Sequence, residues 1–598
     1  MFQVLASLKG PTPVLGRKGY DIREAVVPGA SGLVLKIIAR LLGLWKGGRV
    51  IRRLLLNANH PEVLRQLALQ VDHRTPSVTM PIHRLDDDSF EAAQRHAQDE
   101  QKKLEQNATQ YFDELEGSRH PYRTVEDYHR AYISKRQMPT NVIKRVLRAI
   151  SEMNPTLKTI ECMLPHNEII IMAQASSKRF AESKPRSMLD GVPFVVKGDL
   201  RVTGLPNLHG TNPKNPLPGT IGSDVNDPVV QALLDAGAIL LGTATMHEYG
   251  TSPLGYNKWY EGPVNAFDVS RYSGGSSSGS ATIVASGIVP FAIGLDGGGS
   301  IRIPSSWSGV VGLAPTFGRV NIETTGTPAS TVTHCGPIAA TVADAAHVLR
   351  VIGKTEHQGT HVYDCLYGSR GRPPVHLHAL AAPPRKNRII KVGVFQDWVQ
   401  HSDPEIYTAY KETLEKLNWE VHHFTLPNMN AQAVSHSLAI TCEFSKTIDH
   451  EDIGRLQPGT QIQLGFGRDI SAVEALAIQR LKGWSLEQWN SVFENVDAVC
   501  TPTLPLTSIP IPKNAKSHGV FYPQLGFRMM RYVWPTNLLG FPSISVPVGY
   551  DAHGMPIGFQ IICPHWKDDE CLYLAMEVEK ATIENRRKPI RYWRDLLG

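Results

Sequence analysis

Arg271-Tyr-Ser-Gly-Gly-Ser-Ser-Ser-Gly-Ser280 and Gly294-Leu-Asp-Gly-Gly-Gly-Ser-Ile-Arg-Ile-Pro304 are the two glycine-serine stretches on which the interpretation of this chain depends. The first runs into Ala281–Ser286, a row of small residues that predicts a tightly packed helix ended by Gly287. The second continues from Ile288–Leu295, an apolar run that predicts a buried strand. Taken alone, each stretch is also typical of a flexible loop or a tight turn.

Neither stretch fits a nucleotide-binding loop. The order Gly-x-x-x-x-Gly-Lys-Ser/Thr is missing from both, so no lysine is placed to reach a phosphate group. The spaced glycines of a dinucleotide site, with an acidic residue further along, are missing as well. We therefore expect no cofactor at these stretches.

A lysine lies at the end of a third informative segment. Gly191–Val196 is a short apolar run that predicts a strand, and Lys197 follows it directly. Further along, Asp227-Pro228 predicts the start of a helix and Gly237 its end, and Ala238–Leu241 predicts the next buried strand. Apolar runs that alternate with helical patterns in this way are typical of an α/β protein.

With Lys197 added, these stretches resemble the amidase signature family, and most closely its plant-type fatty acid amide hydrolases. The resemblance runs from about residue 121 to the C-terminus and includes five further motifs: Leu189-Asp-Gly-Val-Pro-Phe-Val-Val-Lys197, Ala238-Ile-Leu-Leu-Gly242, Met246-His-Glu248, Cys500-Thr-Pro-Thr503 and Asn537-Leu-Leu-Gly-Phe-Pro-Ser-Ile-Ser-Val-Pro-Val-Gly549. It implies the amidase signature fold, an α/β/α sandwich around a large mixed, twisted sheet. It also implies a homodimer.

The resemblance further implies a Ser–Ser–Lys triad. Ser300 matches the nucleophile, Ser276 the bridging serine and Lys197 the base. A cis peptide bond between Gly275 and Ser276 is part of the same pattern. The implied activity is hydrolysis of long-chain fatty acid amides, such as N-acylethanolamines, to a fatty acid and an amine through an acyl-enzyme.

The chemistry of these residue types agrees with that assignment. A serine hydroxyl is a weak nucleophile at neutral pH and needs a neighbouring base. An amine buried at an apolar strand end loses the solvation of its ammonium form, so we expect Lys197 to be uncharged and free of any carboxylate. Backbone N–H groups of small residues can converge on the developing oxyanion, and the candidates are Gly297, Gly298, Gly299 and Ser300.

Four more residues are candidates for lining the substrate site: Met246, Gly250, Thr251 and Arg302. For Arg302, a structural role in holding its loop is the favoured alternative. No metal site is expected, because four histidines in a segment rich in His, Pro and Arg have irregular spacing: His357, His361, His376 and His378. The chain departs from the family pattern at Gly198 and at Val264-Asn-Ala266, which leaves loop shape and substrate preference open.

The predicted domains are an N-terminal helical extension over residues 1–120 and a catalytic domain over 121–598, with a surface insertion at 354–390. Residues 1–85 carry thirteen basic and four acidic side chains. Residues 86–120 carry four basic and ten acidic ones, and 86–117 predict a solvated helix. Leu33–Trp45 predicts an amphipathic helix, which either lies in a bilayer interface or docks on the protein's own core or on a twin subunit.

Composition excludes several classes of protein. Apolar residues make up 42% and charged residues 20%, which is ordinary for a globular chain. The basic residues form an arm and no stripe along the body, so nucleic acid is not an expected partner. Seven dispersed cysteines fit a reducing compartment, and neither a signal peptide nor a run of about 18 apolar residues is present. The sequence therefore predicts peripheral association with an intracellular membrane, with endomembranes as one candidate.

Two alternatives stay open. The first is another enzyme of the same superfamily, either a soluble short-chain amidase or the amidase subunit of a transamidating complex. The second is a non-catalytic membrane or lipid-binding protein. The presence of Lys197, Ser276 and Ser300 together argues against the second alternative, because lipid binding alone requires none of them.

Overall fold

We describe the protein from a computed structural model. It describes all residues except 1–14, 17–18, 24–28, 44–46, 59–60, 73, 82–90, 93–94, 96–119, 219, 221, 323–328, 354–388, 447 and 450. The strands are β1 (Ala30–Ser31), β2 (Ile160–Met163), β3 (Pro193–Lys197), β4 (Ile239–Ala244), β5 (Phe291–Asp296), β6 (Val311–Ala314), β7 (His334–Ala339), β8 (Lys391–Val394), β9 (Glu420–His423), β10 (Ala498–Pro502), β11 (Val520–Phe521), β12 (Ser543–Tyr550) and β13 (Pro556–Ile562).

The α-helices are α1 (Gly32–Gly43), α2 (Gly47–Ala58), α3 (Pro61–Gln70), α4 (Val125–Ile133), α5 (Pro139–Leu157), α6 (His166–Ala181), α7 (Pro228–Asp235), α8 (Ser278–Ala285), α9 (Arg302–Ser308), α10 (Val342–Ile352), α11 (Gln396–Gln400), α12 (Pro404–Lys416), α13 (Met429–Phe444), α14 (Pro458–Arg468), α15 (Ala472–Phe493), α16 (Ala515–His518), α17 (Pro523–Met529), α18 (Trp534–Leu539) and α19 (Asp568–Thr582). None of the described helices is both long enough and apolar enough to cross a bilayer.

Eleven strands form one mixed sheet in the order β2-β4-β3-β5-β7-β6-β12-β13-β10-β8-β9. Strand β3 pairs in parallel with β4 and β5, whereas β5, β7, β6, β12, β13 and β10 pair antiparallel in succession. Every residue of β3, β4 and β5 is buried, which is why these strands are short, nearly continuous apolar runs in the sequence. Helices cover both faces of the sheet, so the predicted α/β/α fold is confirmed.

The predicted elements around the glycine-serine stretches are present, with shifted ends. Lys197 is the last residue of β3. The helix predicted over Ala281–Ser286 begins earlier, at Ser278, and α7 begins at Pro228 after the N-cap residue Asp227. The loop between β5 and α9 contains Gly297–Ser300, so parallel pairing of β3 and β5 brings Lys197 and this loop to the same edge of the sheet.

The described part of the N-terminal extension packs on the body of the protein. Strand β1 pairs antiparallel with β11. Helix α1 buries Leu35, Ala39 and Leu42 against a cluster that includes Ile462 of α14. Trp45, most of residues 86–117 and residues 354–388 of the expected insertion lie outside the described residues. The division into two domains stays a prediction.

Candidate active site

Lys197 is almost fully buried, with only 2% of its surface exposed. Its Nζ donates to the carbonyl oxygen of Leu295 on β5 at 3.2 Å and lies 3.0 Å from Oδ2 of Asp199. The expectation of an amine without a carboxylate neighbour is therefore wrong. Asp199 lies two positions beyond the strand, where the chain turns back, and its side chain is almost fully buried against the amine.

Ser276 is almost fully buried, with 1% of its surface exposed. The peptide bond between Gly275 and Ser276 is cis, as the resemblance implies. A Cβ atom placed on Gly250 would lie 3.1 Å from the Ser276 Oγ, so that hydroxyl faces the backbone of Gly250. Within the described residues, the Ser276 Oγ has no hydrogen-bond partner, so no hydrogen bond joins it to Lys197 or Ser300.

Backbone and side-chain contacts hold the three residues of the expected triad in one region. The Ser277 Oγ donates to the Leu295 carbonyl at 3.3 Å, which is the same oxygen that accepts from Lys197. The Ser277 N–H donates to the carbonyl oxygen of Ser300 at 3.2 Å. Lys197, Ser276 and Ser300 are thus neighbours through the segments that carry them, and their roles in a triad stay a prediction.

The glycine loop after β5 is built around the carboxylate of Asp296. Its Oδ1 accepts from the N–H of Gly299 at 2.6 Å, and its Oδ2 accepts from the N–H of Ile301 at 3.0 Å. Gly299 has a φ of +102°, and a Cβ atom there would lie 2.5 Å from Val533, so only glycine fits. The expectation that the Gly299 N–H faces an oxyanion is corrected, because Asp296 already accepts from it.

Three N–H groups of the loop are free to bind an oxyanion. Those of Gly297, Gly298 and Ser300 have no acceptor among the described residues. Gly298 and Ser300 also line a pocket next to the loop. Three of the four N–H groups suggested by the sequence therefore remain candidate oxyanion donors.

Arg302 is a structural residue, and its candidacy for lining the substrate site is wrong. Its guanidinium lies 3.0 Å from Asp296, and neither side chain has any exposed surface. It also donates to the side-chain oxygens of Asn537 and Gln560. Burial alone would raise the pKa of Asp296, but the charge and hydrogen bonds of Arg302 outweigh burial and hold that pKa well below its usual range.

A pocket of about 1200 Å³, counted together with the space that is open to solvent, opens at Ser300. Gly250 and Thr251 are among its lining residues, and their contact with substrate stays a prediction. Met246 is not among them; it is buried, and its carbonyl oxygen accepts from Asn257 at 2.8 Å. The rest of the lining is mostly apolar and includes Leu438, Ile440, Phe444, Phe466, Phe527 and Met530.

His247 lines the pocket, although no role was assigned to it from the sequence, and Glu248 is buried next to it in the chain. Burial lowers the pKa of His247 to about 4, so its ring is neutral near pH 7. Burial raises the pKa of Glu248 to about 7, against the effect of the Trp259 indole N–H that donates to it. The one signal available beforehand was their place in the motif Met246-His-Glu248.

Metal ligands are not grouped at this site. No cluster of three or more His, Cys, Asp or Glu side chains suited to a metal ion occurs in the part of the chain that the structure describes. The histidines at 357, 361, 376 and 378 lie outside that part.

Comparison with known proteins agrees with the geometry. The sequence profile described as Amidase matches residues 141–572. A fatty acid amide hydrolase of Arabidopsis thaliana is 34% identical over 492 residues, which is 80% of this chain and 79% of that protein. One of the glutamyl-tRNA(Gln) amidotransferase subunits, from Trichodesmium erythraeum, is 28% identical over 493 residues, which is 77% of this chain and 98% of the relative.

Among solved structures, a bacterial aryl acylamidase of the amidase signature enzymes has a similar fold. Its TM-score is 0.67 at 24% identity, over 78% of this chain and 97% of that chain. The Amidase match over residues 141–572 includes the mixed sheet, the lysine strand and both glycine-serine segments. Sequence and fold thus lead to one conclusion, that the chain belongs to the amidase signature family and is an amidase, a hydrolase of carbon–nitrogen amide bonds.

Proposed function

We propose that this amidase hydrolyses long-chain fatty acid amides, such as N-acylethanolamines, to a fatty acid and an amine. The apolar pocket that opens at Ser300 carries the proposal, because a pocket lined by Leu438, Phe444 and Phe466 favours a hydrocarbon chain over a polar acyl group. The plant fatty acid amide hydrolases among the relatives support it.

In the proposed reaction, the Ser300 Oγ attacks the amide carbon while Ser276 takes its proton and passes its own proton to Lys197. The carbonyl oxygen becomes an oxyanion, which the N–H groups of Gly298 and Ser300 stabilise. Lys197 then returns a proton through Ser276 to the amine nitrogen as the carbon–nitrogen bond breaks. Water cleaves the remaining acyl ester on Ser300 and regenerates the hydroxyl.

Lys197 can act as a base only in its neutral form. Its Nζ is held by the Leu295 carbonyl and by Asp199, at the buried end of the proposed relay. The unpartnered Ser276 hydroxyl supports the relay, since a buried hydroxyl without a hydrogen bond is costly in a purely structural role.

The proposed substrate is dissolved in membranes, and we propose that helices α1 and α2 contact the bilayer. Both leave large apolar side chains more than a third exposed: Leu33, Val34, Ile37, Leu41, Val50, Ile51 and Leu54. Leu56, on the buried side of α2, lines the pocket, so this helix also forms part of the pocket wall. The protein would then be peripheral on an intracellular membrane, and the implied homodimer stays a prediction.

The cations near these helices divide into two groups. Arg52 and Arg53 are tied to Asp469 and Glu474 at 2.8 and 2.6 Å, so they hold α2 on the body. Arg49 also lies near Asp469, at 3.7 Å, but keeps 77% of its side chain exposed. Exposed cations of this kind favour an anionic lipid surface.

The test is turnover by the purified chain alone. We expect hydrolysis of a long-chain N-acylethanolamine at a higher kcat/KM than of its short-chain analogue, and loss of activity in Ser300→Ala. Glutamine serves as the comparison substrate, because the relatives that belong to amidotransferases keep the transamidase alternative open. Turnover of glutamine alone, with none of the lipid amide, would refute the proposal.

A further inference from the structure

Helix α13 carries a buried histidine that contacts the glycine loop. His436 has no exposed surface, and its Nε2 lies 2.9 Å from the carbonyl oxygen of Gly297. A carbonyl oxygen can only accept a hydrogen bond, so Nε2 carries the proton and donates. The ring also packs on the next residue, because a Cβ atom placed on Gly298 would lie 3.1 Å from its Cε1.

This hydrogen bond fixes the direction of an N–H group. The carbonyl of Gly297 and the N–H of Gly298 belong to one planar peptide unit, which is trans, so they point in opposite directions. With the carbonyl held by His436 on one side, the Gly298 N–H points away from the histidine. That N–H has no acceptor among the described residues, and Gly298 lines the pocket beside Ser300.

The neutral form of the histidine suits this position. Burial lowers the pKa of His436 to about 4, and Lys482 and Arg302 act in the same direction, while Asp296 and the Gly297 carbonyl oppose them. The ring therefore keeps a single proton near pH 7. Its Nδ1 is buried and has no hydrogen-bond partner in the described part of the chain, so the Gly297 carbonyl is the one polar contact of the ring there.

The other end of the loop is held differently. Asp296 binds the N–H of Gly299 and Ile301, but makes no hydrogen bond to the peptide unit between Gly297 and Gly298. Glycines leave the backbone free to rotate, so this peptide unit would lose its orientation without the bond from His436.

We infer that His436 is a positioning residue for the oxyanion hole, holding the Gly297 carbonyl so that the Gly298 N–H faces the reacting carbonyl oxygen. This inference rests on the proposed role of Ser300. It adds to the proposed active site a residue of α13, a helix that also forms part of the pocket wall. Since the oxyanion forms only in the transition state, loss of His436 lowers kcat much more than it changes KM.

The experiment compares two replacements of similar length that differ in the donor. His436→Gln keeps an N–H group near the position of Nε2, and His436→Met fills the space without one. We expect the Met variant to lose about 10- to 100-fold in kcat, with KM within about threefold, because an oxyanion donor is worth roughly that much or more. The Gln variant recovers most of the loss. Ser435→Ala, a buried neighbour on α13 that donates to the Ala431 carbonyl, is the matched control.

A second measurement separates positioning from packing. A long-chain trifluoromethyl ketone adds to the Ser300 hydroxyl and forms an oxyanion, whereas the corresponding alcohol does not. We expect His436→Met to weaken the ketone at least about tenfold and to leave the alcohol unchanged. Equal weakening of both inhibitors, or an unchanged kcat in the Met variant, would overturn the inference.

Two controls keep the test decisive. If Ser300→Ala keeps full activity, the proposed function itself fails, whereas an inactive Ser300→Ala beside a fully active His436→Met refutes only the role of His436. If the Met variant does not fold, ¹⁵N spectra of histidine-labelled wild type replace it. We expect an Nε2-protonated signal of His436 that shifts with the ketone and stays in place with the alcohol. A signal that responds equally to both compounds overturns the inference.

Discussion

Lys197 and Asp199 stand two residues apart, and their contact places a carboxylate against the proposed base. The Lys197 Nζ lies 3.0 Å from Oδ2 of Asp199, and both side chains are almost fully buried. The same Nζ donates to the Leu295 carbonyl at 3.2 Å. The amine is therefore held in one place by two neighbours on different segments of the chain.

Replacing Lys197 tests its role as the base. Lys197→Ala removes the proton acceptor of the proposed relay, so we expect kcat to fall about 10²- to 10⁴-fold. Asp199→Asn leaves the amine in place and is the matched control, with a smaller loss of kcat. A kcat of Lys197→Ala close to that of wild type would count against Lys197 as the base.

Ser276 gives a second prediction at the same scale. Its buried Oγ has no hydrogen-bond partner in the described chain, so Ser276→Ala removes no stabilising contact. We expect the denaturation midpoint to stay the same or to rise, while kcat falls about 10²- to 10⁴-fold from loss of proton transfer.

Ser277→Ala is the matched control for this prediction. Its hydroxyl makes a hydrogen bond to the Leu295 carbonyl, so its loss should lower stability. A large loss of stability in Ser276→Ala with little change in kcat would make Ser276 a structural residue and contradict the relay.

At the scale of elements, α1 has two apolar faces, one of them buried on the body and the other exposed. One face packs Leu35, Ala39 and Leu42 on the body. The opposite face keeps Leu33 and Ile37 exposed at 63% and 49%. The two interpretations of the amphipathic helix, own core and bilayer, are therefore compatible, because each uses a different face of the same helix.

Serine substitutions on the exposed face test the membrane contact. We expect Leu33→Ser, Ile37→Ser and Leu41→Ser together to lower binding to anionic vesicles at least about tenfold, since burying each side chain contributes roughly 1.5–3 kcal/mol. Turnover of a short, water-soluble amide should not change. These point changes are preferable to deletion, because β1 and Arg53 join the extension to the body.

The control places the same chemical change elsewhere. Ile133 and Ile171 are 52% and 60% exposed on α4 and α6, and their replacement by Ser should leave vesicle binding intact. Flotation with vesicles measures both variants. Equal binding by the α1 variant and wild type would assign the exposed face to another role.

At the scale of the whole molecule, buried acids make the free energy of unfolding depend on pH. Burial raises the pKa of Glu161 from 4.5 to about 8, although the Tyr260 hydroxyl donates to the carboxylate. Between these values the folded protein binds a proton that the unfolded chain has released. The contribution of Glu161 to stability is thus full below pH 4.5 and is lost as the pH rises to about 8.

Glu161→Gln should therefore gain stability relative to wild type as the pH rises. Urea denaturation at pH 5, 6, 7 and 8 measures the difference, and Glu152→Gln, at an exposed position of α5, is the matched control. A difference between Glu161→Gln and wild type that is constant over this range would contradict the buried, protonated state of Glu161.

Much of this fold follows from local sequence, because β3, β4 and β5 are short apolar runs bounded by clear turn residues. The same local pattern predicts Lys197 at a strand end, whereas its expected role and those of Ser276 and Ser300 come from the family resemblance. The contact of Asp199 with Lys197 is not predictable in this way, because the position of a loop carboxylate depends on how the chain turns after β3. The contact of His436 with Gly297 spans 139 positions, and only the folded packing of α13 against the glycine loop brings the two together.

The most direct test of the account is the site of covalent attachment. A fluorophosphonate with a long alkyl chain should label the protein once, and peptide mapping by mass spectrometry should place the adduct on Ser300. An excess of long-chain N-acylethanolamine should protect that residue. A label on another residue, or a label on Ser300 that the lipid amide does not slow, would contradict the account.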